Sequence, residues 1–225
     1  MINYYIGIVK KLSFYKCYNF LKLVIGFYLS RLIKFPKQFG LPVFVSIEPT
    51  TSCNLRCPQC PSGLRTFTRP IGMLNINLFE KVISQIKRHV HSLTFYFQGE
   101  PYLNPDFLEM VKIANEKNIY TITSTNAHFL SEEIAKKTIL SKLDKLIISV
   151  DGITQEAYEH YRVGGSLNKV IEGTKEIIKQ KKLYKTNKPH LVWQFVVFKS
   201  NQNQIALVKK LGKELGVDEV KIKTA

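Results

Sequence analysis

Acidic side chains are scarce in this sequence, and its first stretch lacks them altogether. The 225 residues carry 33 Lys and Arg against 17 Asp and Glu, which gives a net charge of +16. Residues 1–47 contain seven Lys or Arg and no Asp or Glu. A charge excess of this size indicates an anionic partner, such as nucleic acid, lipid headgroups or a charged small molecule.

Cysteines and long apolar runs are also few. Four cysteines are too few for a disulfide-rich scaffold. The uncharged runs Met1–Val9 and Leu23–Ser30 have nine and eight residues, whereas a spanning helix needs roughly 20 apolar residues. No small-residue cleavage site follows the first run, which argues against a signal peptide. An apolar fraction of 45% with 14 Phe and 11 Tyr excludes a disordered chain.

Residues 1–40 form a basic, aromatic segment that we expect to be helical, because its apolar residues recur at helical spacing with Lys between them. The simplest interpretation is an amphipathic helix packed on the core with its lysines in water. The alternative is a helix of residues 1–34 that contacts a membrane surface. No part of this segment resembles a helix-turn-helix, a zinc finger or an RNA-binding signature. Its charge alone therefore supports nucleic acid as the partner.

Residues 41–225 alternate β-rich runs with helical patterns, which predicts a second domain. We predict strands at 43–48, 93–97, 119–124, 146–150, 191–198 and 219–223, with helices between them. Strands separated by helices must be parallel, and near-continuous apolar runs fit strands covered on both faces. In such sheets the chemistry lies beyond the carboxyl ends of the strands.

Three of the four cysteines lie within eight residues, directly after the first predicted strand. Cys53, Cys57 and Cys60 have the spacing C-x₃-C-x₂-C. Thiolates this close can converge on one metal centre, and they favour iron–sulfur clusters, zinc or Cu(I). An electron-transfer [4Fe–4S] cluster needs four cysteines, and here only Cys17 remains. Three ligands would leave one iron open to a substrate.

This loop resembles the cysteine motif of the radical S-adenosylmethionine (radical SAM) superfamily, and the resemblance extends over about residues 43–225. Residues 98–101, Gln-Gly-Glu-Pro, resemble the family's Gly-Gly-Glu-Pro motif with Gln in place of the first Gly. The family's fold implies a partial (β/α)₆ TIM-like open barrel of parallel strands. Cys57 to Arg65 resembles members that carry a C-terminal SPASM-type domain. This chain ends after the sixth predicted strand, so we expect a core domain that lacks that part.

The resemblance also assigns roles to residues at or near the strand ends. Cys53, Cys57 and Cys60 would bind three irons of a [4Fe–4S] cluster. The residues expected to bind S-adenosylmethionine are Gly99, Glu100, Asn126, Ser149, Arg162 and Gln194. Gly99 would allow close backbone approach, Arg162 would pair with the carboxylate, and Gln194 would contact the ribose.

The chemistry that the resemblance implies is reductive cleavage of S-adenosylmethionine by the cluster. The product is a 5′-deoxyadenosyl radical, which abstracts hydrogen from a substrate whose identity the sequence leaves open, with a peptide as one candidate. A reductant such as flavodoxin or ferredoxin would be a partner. The thiols need a reducing compartment, so we expect a cytoplasmic protein or one peripheral to the inner membrane face.

Two alternatives remain open from the sequence. One is a non-catalytic metal-binding or adaptor protein at a membrane surface, which would hold zinc through the three cysteines and a fourth ligand. The other is a nucleic-acid-modifying member of the same superfamily, for which the only motive is the positive charge.

Overall fold

Six parallel strands form one sheet in the computed structural model, which describes residues 2–224. The strands, in chain order, are β1 (Phe44–Ser46), β2 (Ser92–Thr94), β3 (Tyr120–Thr125), β4 (Lys145–Ser149), β5 (His190–Val197) and β6 (Glu219–Thr224). Each strand pairs with the next one along the chain, and all five pairings are parallel. In this part of the chain β1 and β6 do not pair with each other, so the barrel is open.

Helices lie before the sheet and between its strands. They are α1 (Ile2–Val9), α2 (Phe14–Ile33), α3 (Pro61–Leu64), α4 (Ile76–Ile86), α5 (Phe107–Glu116), α6 (Glu132–Leu140), α7 (Gln155–Tyr161), α8 (Leu167–Leu183) and α9 (Ile205–Leu215), with short 3₁₀ turns at Pro101–Leu103 and Gln202–Gln204. The predicted α/β class and the partial barrel of six parallel strands are therefore confirmed. The strand ends differ from prediction by up to three residues, most at β2, where residues 95–97 already belong to the loop.

The hydrophobic core lies between the sheet and the helices that follow its strands. Apolar residues of β2, β4 and β5 and of α4, α5 and α8 bury their side chains together. Trp193 on β5 is fully buried and donates its indole N–H to Thr174 Oγ1 of α8 at 3.0 Å. Successive side chains of a strand point to opposite faces. Gln194 next to Trp193 therefore faces the interior of the barrel.

The basic N-terminal segment packs on the amino ends of the strands. The amine of Lys11 contacts the Asp144 carboxylate and donates to the Ile119 carbonyl at 2.9 Å. The amine of Lys16 donates to the Asn118 carbonyl at 2.6 Å, and only 2% of Lys16 is exposed. The expectation that all lysines of this segment lie in water is therefore wrong for Lys11 and Lys16. A sequence pattern could not show it, because their acceptors lie more than 100 residues further along.

Asp144 is the centre of this contact. Its buried carboxylate also accepts hydrogen bonds from the Thr121 N–H at 2.9 Å and from Asn115 Nδ2 at 3.3 Å. Lys188 contacts its other oxygen. Burial lowers the pKa of Lys11, and the charge of Asp144 opposes that shift. The pair thus ties the N-terminal helices to β3 and β4.

We expect Asp144→Ala to lower the free energy of unfolding by about 3 kcal/mol, because it leaves the Lys11 amine buried without its counterion. The matched control is Glu133→Ala, which removes an exposed i,i+4 pair with Lys137. It should lower the free energy of unfolding far less, because solvent screens an exposed pair. Urea denaturation followed by circular dichroism measures both. Equal losses in the two variants would contradict the role assigned to Asp144.

Candidate active site

A cleft with about 610 Å³ of empty space lies beyond the carboxyl ends of β1 to β4 and is partly open to solvent. Of the predicted site residues, those that line it are Cys53, Cys57, Cys60, Gly99, Glu100, Asn126, Ser149 and Arg162. Residues up to 109 positions apart in the chain meet there because parallel strands end at one edge of the sheet.

The cysteine loop is held against the end of β2 by backbone contacts. The Glu100 N–H donates to the Ser52 carbonyl at 2.8 Å, and the Gly99 N–H donates to Ser62 Oγ at 3.0 Å. Ser62 lies in α3, the short helix that begins directly after Cys60. The loop is thus fixed on both sides of the three cysteines.

Gly99 is the point of closest approach. Its φ is +78°, and a Cβ atom on it would lie 2.2 Å from the Thr50 carbonyl oxygen. The sequence-based explanation was close approach of the backbone to a ligand. In the structure the missing side chain makes room for the backbone that precedes Cys53.

Each of the three sulfurs has a different polar neighbour. The Cys60 thiol donates to Gln98 Oε1 at 3.2 Å, the Cys57 sulfur lies 3.9 Å from Arg162 Nη1, and the Cys53 sulfur lies 3.5 Å from the Leu55 N–H nitrogen. No group of three or more His, Cys, Asp or Glu side chains within residues 2–224 is arranged to hold a single metal ion. A cubane cluster differs from one zinc ion because it offers a separate iron to each thiolate.

Burial favours the neutral form of two of the three thiols. Burial raises the pKa of Cys53 to about 11, and burial also raises the pKa of Cys57 although Arg162 opposes it. A bound metal deprotonates a coordinating thiol outright and so overcomes this burial. Three thiols around one cleft, with no fourth cysteine lining it, therefore suit a [4Fe–4S] cluster with one open iron.

Glu100 is buried, with 2% of its surface exposed, and both carboxylate oxygens have donors. Oε1 accepts from Thr125 Oγ1 at 2.7 Å and from the Tyr102 N–H at 3.3 Å, while Oε2 accepts from the Asn126 N–H at 2.8 Å. Burial raises the pKa of Glu100 to about 7, against the effect of these hydrogen bonds. The carboxyl joins the end of β2 to the end of β3.

Asn126 connects the end of β3 with the cysteine loop. Its Nδ2 donates to Asn54 Oδ1 at 2.8 Å and lies 3.9 Å from the Cys53 sulfur. His128 supports this turn, because its Nε2 accepts from the Ser166 N–H at 2.8 Å. The proton therefore sits on Nδ1, which faces the Asn126 carbonyl at 2.9 Å. Burial lowers the pKa of His128, so the ring stays neutral.

Arg162 is held beside the cluster loop by Asp151. Its Nε donates to Asp151 Oδ2 at 2.6 Å, and Asp151 Oδ1 accepts from the Val196 N–H at 2.8 Å. Asp151 is fully buried, whereas 17% of the Arg162 side chain is exposed. One edge of the guanidinium is thus fixed by Asp151, and the Nη1 atom faces the Cys57 sulfur.

Gln194 is the predicted site residue that does not line this cleft. It pairs in register with Ser149, and its side chain shares the interior face of the sheet with the Ser149 side chain. Its predicted contact with the ribose stays a prediction.

Four residues of the site were missed as functional residues by sequence reasoning. They are Gln98, Ser62, His128 and Asp151, which contact Cys60, Gly99, Asn126 and Arg162. Gln98 belongs to the motif at residues 98–101, and Asp151 directly follows the predicted strand at 146–150, so their position at strand ends is the available signal. Ser62 also accepts from Gly99 and His128 from Ser166, each more than 35 positions away, which no local pattern reveals.

The sequence profile of the Radical SAM superfamily matches residues 47–187, more than half of the chain. The chain belongs to the radical SAM superfamily. Members of this superfamily use a [4Fe–4S] cluster and S-adenosylmethionine.

Curated relatives of this radical SAM chain are longer than it is. The AdoMet-dependent heme synthase of Methanosarcina barkeri is 26% identical over 176 residues, which are 78% of this chain and 48% of the relative. The PqqA peptide cyclase of Rhodopseudomonas palustris is 34% identical over 130 residues, 57% of this chain and 33% of the relative. This chain therefore spans about half or less of the length of these relatives.

Solved structures share the fold of this radical SAM chain. Streptococcus suis SuiB bound to S-adenosylmethionine matches with a TM-score of 0.68 at 19% identity, over 82% of this chain and 41% of that one. Native anSMEcpe with bound AdoMet matches with a TM-score of 0.67 at 22% identity, over 81% and 51%.

We expect Gly99→Ala to destabilise the site strongly, because the new Cβ would meet the Thr50 carbonyl and the backbone is left-handed. Gly164→Ala is the matched control, since Gly164 has a φ of +79° and nothing within 4 Å of its Cβ position. The control should lose only the conformational term, about 1 kcal/mol. Thermal unfolding and iron content after anaerobic reconstitution measure both variants, and equal behaviour would show that the close approach is unimportant.

The raised pKa of Glu100 predicts a pH dependence of stability. The folded pKa of about 7 lies above the value of 4.5 of a free Glu, so the carboxyl contributes stability that is complete below about pH 4.5 and is lost as pH rises through about 7. Relative to Glu100→Gln, the wild-type free energy of unfolding should fall by roughly 3 kcal/mol between about pH 5 and 8. Urea titrations across this range measure it. A constant difference would show a carboxyl that is ionised throughout.

Proposed function

We propose that this chain is the catalytic core of a radical SAM enzyme that acts on a peptide or another substrate whose hydrogen it removes by a radical. The observation that carries the proposal is the meeting of Cys53, Cys57 and Cys60 with three further strand ends at one cleft. Membership of the radical SAM superfamily supports the two cofactors, a [4Fe–4S] cluster and S-adenosylmethionine.

In this proposal Cys53, Cys57 and Cys60 bind three irons of the cluster, and S-adenosylmethionine occupies the rest of the cleft. A cluster bound there would supply the electron for reductive cleavage of S-adenosylmethionine, the chemistry that family membership implies. The residues of the chain would bind and orient S-adenosylmethionine and shield it in the cleft. Arg162 would pair with the carboxylate of S-adenosylmethionine. Asp151 binds one edge of its guanidinium, and the exposed edge stays available.

The roles of the remaining residues follow from what their polar atoms already contact. Glu100 has a donor on each oxygen, so we propose that it positions Asn126 and that backbone carbonyls beside it accept from the amino group of S-adenosylmethionine. Ser149 and Asn126 offer short polar groups at the cleft wall. Gln194 would contact the ribose from the interior face of the sheet.

A peptide is the substrate class that the relatives favour. The PqqA peptide cyclase is a relative, and SuiB, which shares the fold, has been solved bound to its precursor peptide SuiA. A reductant such as flavodoxin or ferredoxin and a cytoplasmic location belong to the same proposal, because the cluster needs an electron and reduced thiols. We also propose that the chain divides into a basic N-terminal segment, residues 1–40, and a core domain, residues 41–225.

Spectroscopy of the reconstituted protein tests the cluster. We expect about one [4Fe–4S] cluster per chain after anaerobic reconstitution, and an electron paramagnetic resonance signal of the reduced protein that shifts when S-adenosylmethionine is added. Cys57→Ala should abolish the cluster. Cys17→Ala is the matched control, because Cys17 is exposed and outside the cleft. A full cluster in Cys57→Ala, or zinc in place of iron, would refute the proposal.

A further inference from the structure

Helix α2 packs on the rest of the protein through a polar face. Lys16 and Asn19 are buried, and the Asn19 side chain exchanges two hydrogen bonds of 2.8 Å with the backbone of Leu41. Ser30 Oγ accepts from the Lys37 N–H at 2.8 Å. Gly26 faces the same way, since a Cβ on it would lie 2.8 Å from the Lys37 carbonyl oxygen. The buried positions of α2, Lys16, Asn19 and Gly26, are thus polar or small.

The outer side of α2 is apolar. Six large side chains at intervals of three or four residues form a continuous stripe along it, and 50% or more of each is exposed. We call these residues the α2 stripe: Phe14 (79% exposed), Tyr18 (51%), Leu21 (54%), Ile25 (50%), Tyr28 (63%) and Leu32 (80%). A surface helix of a globular protein normally has the opposite arrangement, with its apolar face toward the core. An apolar surface of this extent marks an interaction site.

Cations accompany the stripe. Lys22 lies over the Tyr18 ring with its amine 4.7 Å from the centroid, and the Arg31 guanidinium lies 5.7 Å from the centroid of Phe27. Among residues 2–224, Lys22, Arg31, Lys34 and Lys37 form no salt bridge. The segment has no acidic residue before Glu48. A surface that binds this segment must therefore offer an apolar layer to the α2 stripe and negatively charged groups to the cations.

These observations decide between two occupants. A second copy of α2 would bring cations against cations with no acidic group of the segment to compensate them, so self-association is disfavoured. An anionic bilayer offers both parts of the required surface, because acyl chains accept the stripe and headgroups accept the cations. Tyr and Phe at the boundary of the stripe suit the interface between lipid and water.

We propose that α2 docks lengthwise on an anionic lipid surface through the α2 stripe. The helix lies in the interface with Lys22, Arg31, Lys34 and Lys37 at headgroup level. None of the described helices has the length and apolar character needed to cross a bilayer. Anchoring of this kind does not depend on the iron–sulfur cluster, so it stands or falls separately from the proposed function.

Co-sedimentation of the full chain with vesicles tests the proposal. We expect binding to vesicles of equal parts phosphatidylglycerol and phosphatidylcholine, at least about tenfold weaker binding to phosphatidylcholine alone, and a marked loss in high salt because salt screens the headgroup charges. Binding that is equal on the two kinds of vesicle, or absent from both, would overturn the proposal.

Paired variants identify the surface. Leu21→Asn with Ile25→Asn removes two members of the α2 stripe and should weaken vesicle binding about tenfold or more. The matched control is Leu183→Asn with Leu207→Asn, which changes two exposed leucines on α8 and α9 (68% and 52% exposed). The control should bind like the wild type. Circular dichroism and thermal unfolding check that both proteins fold.

Sedimentation equilibrium without lipid tests the other candidate occupant of the α2 stripe, a second copy of the chain. A monomer that binds anionic vesicles through the stripe supports the proposal. A dimer that dissociates in the Leu21→Asn, Ile25→Asn protein, together with unchanged vesicle binding in that protein, would overturn it in favour of a second copy.

Discussion

The buried carboxylate of Glu100 holds the candidate site together. It accepts from the ends of two strand segments, Tyr102 after β2 and Thr125 and Asn126 at the end of β3. Its own N–H donates to the Ser52 carbonyl, one residue before Cys53. One residue therefore joins three segments, two through its side chain and one through its backbone. Buried polar networks of this kind fix geometry because every partner is costly to remove.

The same principle governs the opposite side of the cleft. Asp151 is fully buried and fixes Arg162, while His128 in one tautomer fixes the turn at Asn126 against Ser166. Residues that approach the cleft are thus held by a second set of residues behind them. Such support is what a reactive cofactor needs, because misplacement by about 1 Å costs rate and selectivity.

Much of this fold could be predicted from the sequence, because its signals are local. The six strands show as short apolar runs between helical patterns, and the cysteine loop shows as a spacing. The parts that could not be predicted depend on distant partners. Lys11 and Lys16 look like solvated lysines until Asp144 and the carbonyls of residues 118 and 119 are brought beside them. The sequence predicts a close backbone approach at Gly99, but it does not identify the Thr50 carbonyl as the group that approaches. Gln194 was chosen for polarity on a strand, which determines a face of the sheet but not a distance from the cleft.

The position of the N-terminal helices has a consequence for which molecules can react. Lys11 and Lys16 attach them at the amino ends of β3 and β4, whereas the cleft lies beyond the carboxyl ends. At about 3.3 Å per residue, the six residues of β3 alone separate the two by roughly 20 Å. A protein resting on a surface by α2 would hold its reactive cleft raised above that surface. Its substrate would then reach the cleft from the water side, and not as a headgroup within the layer.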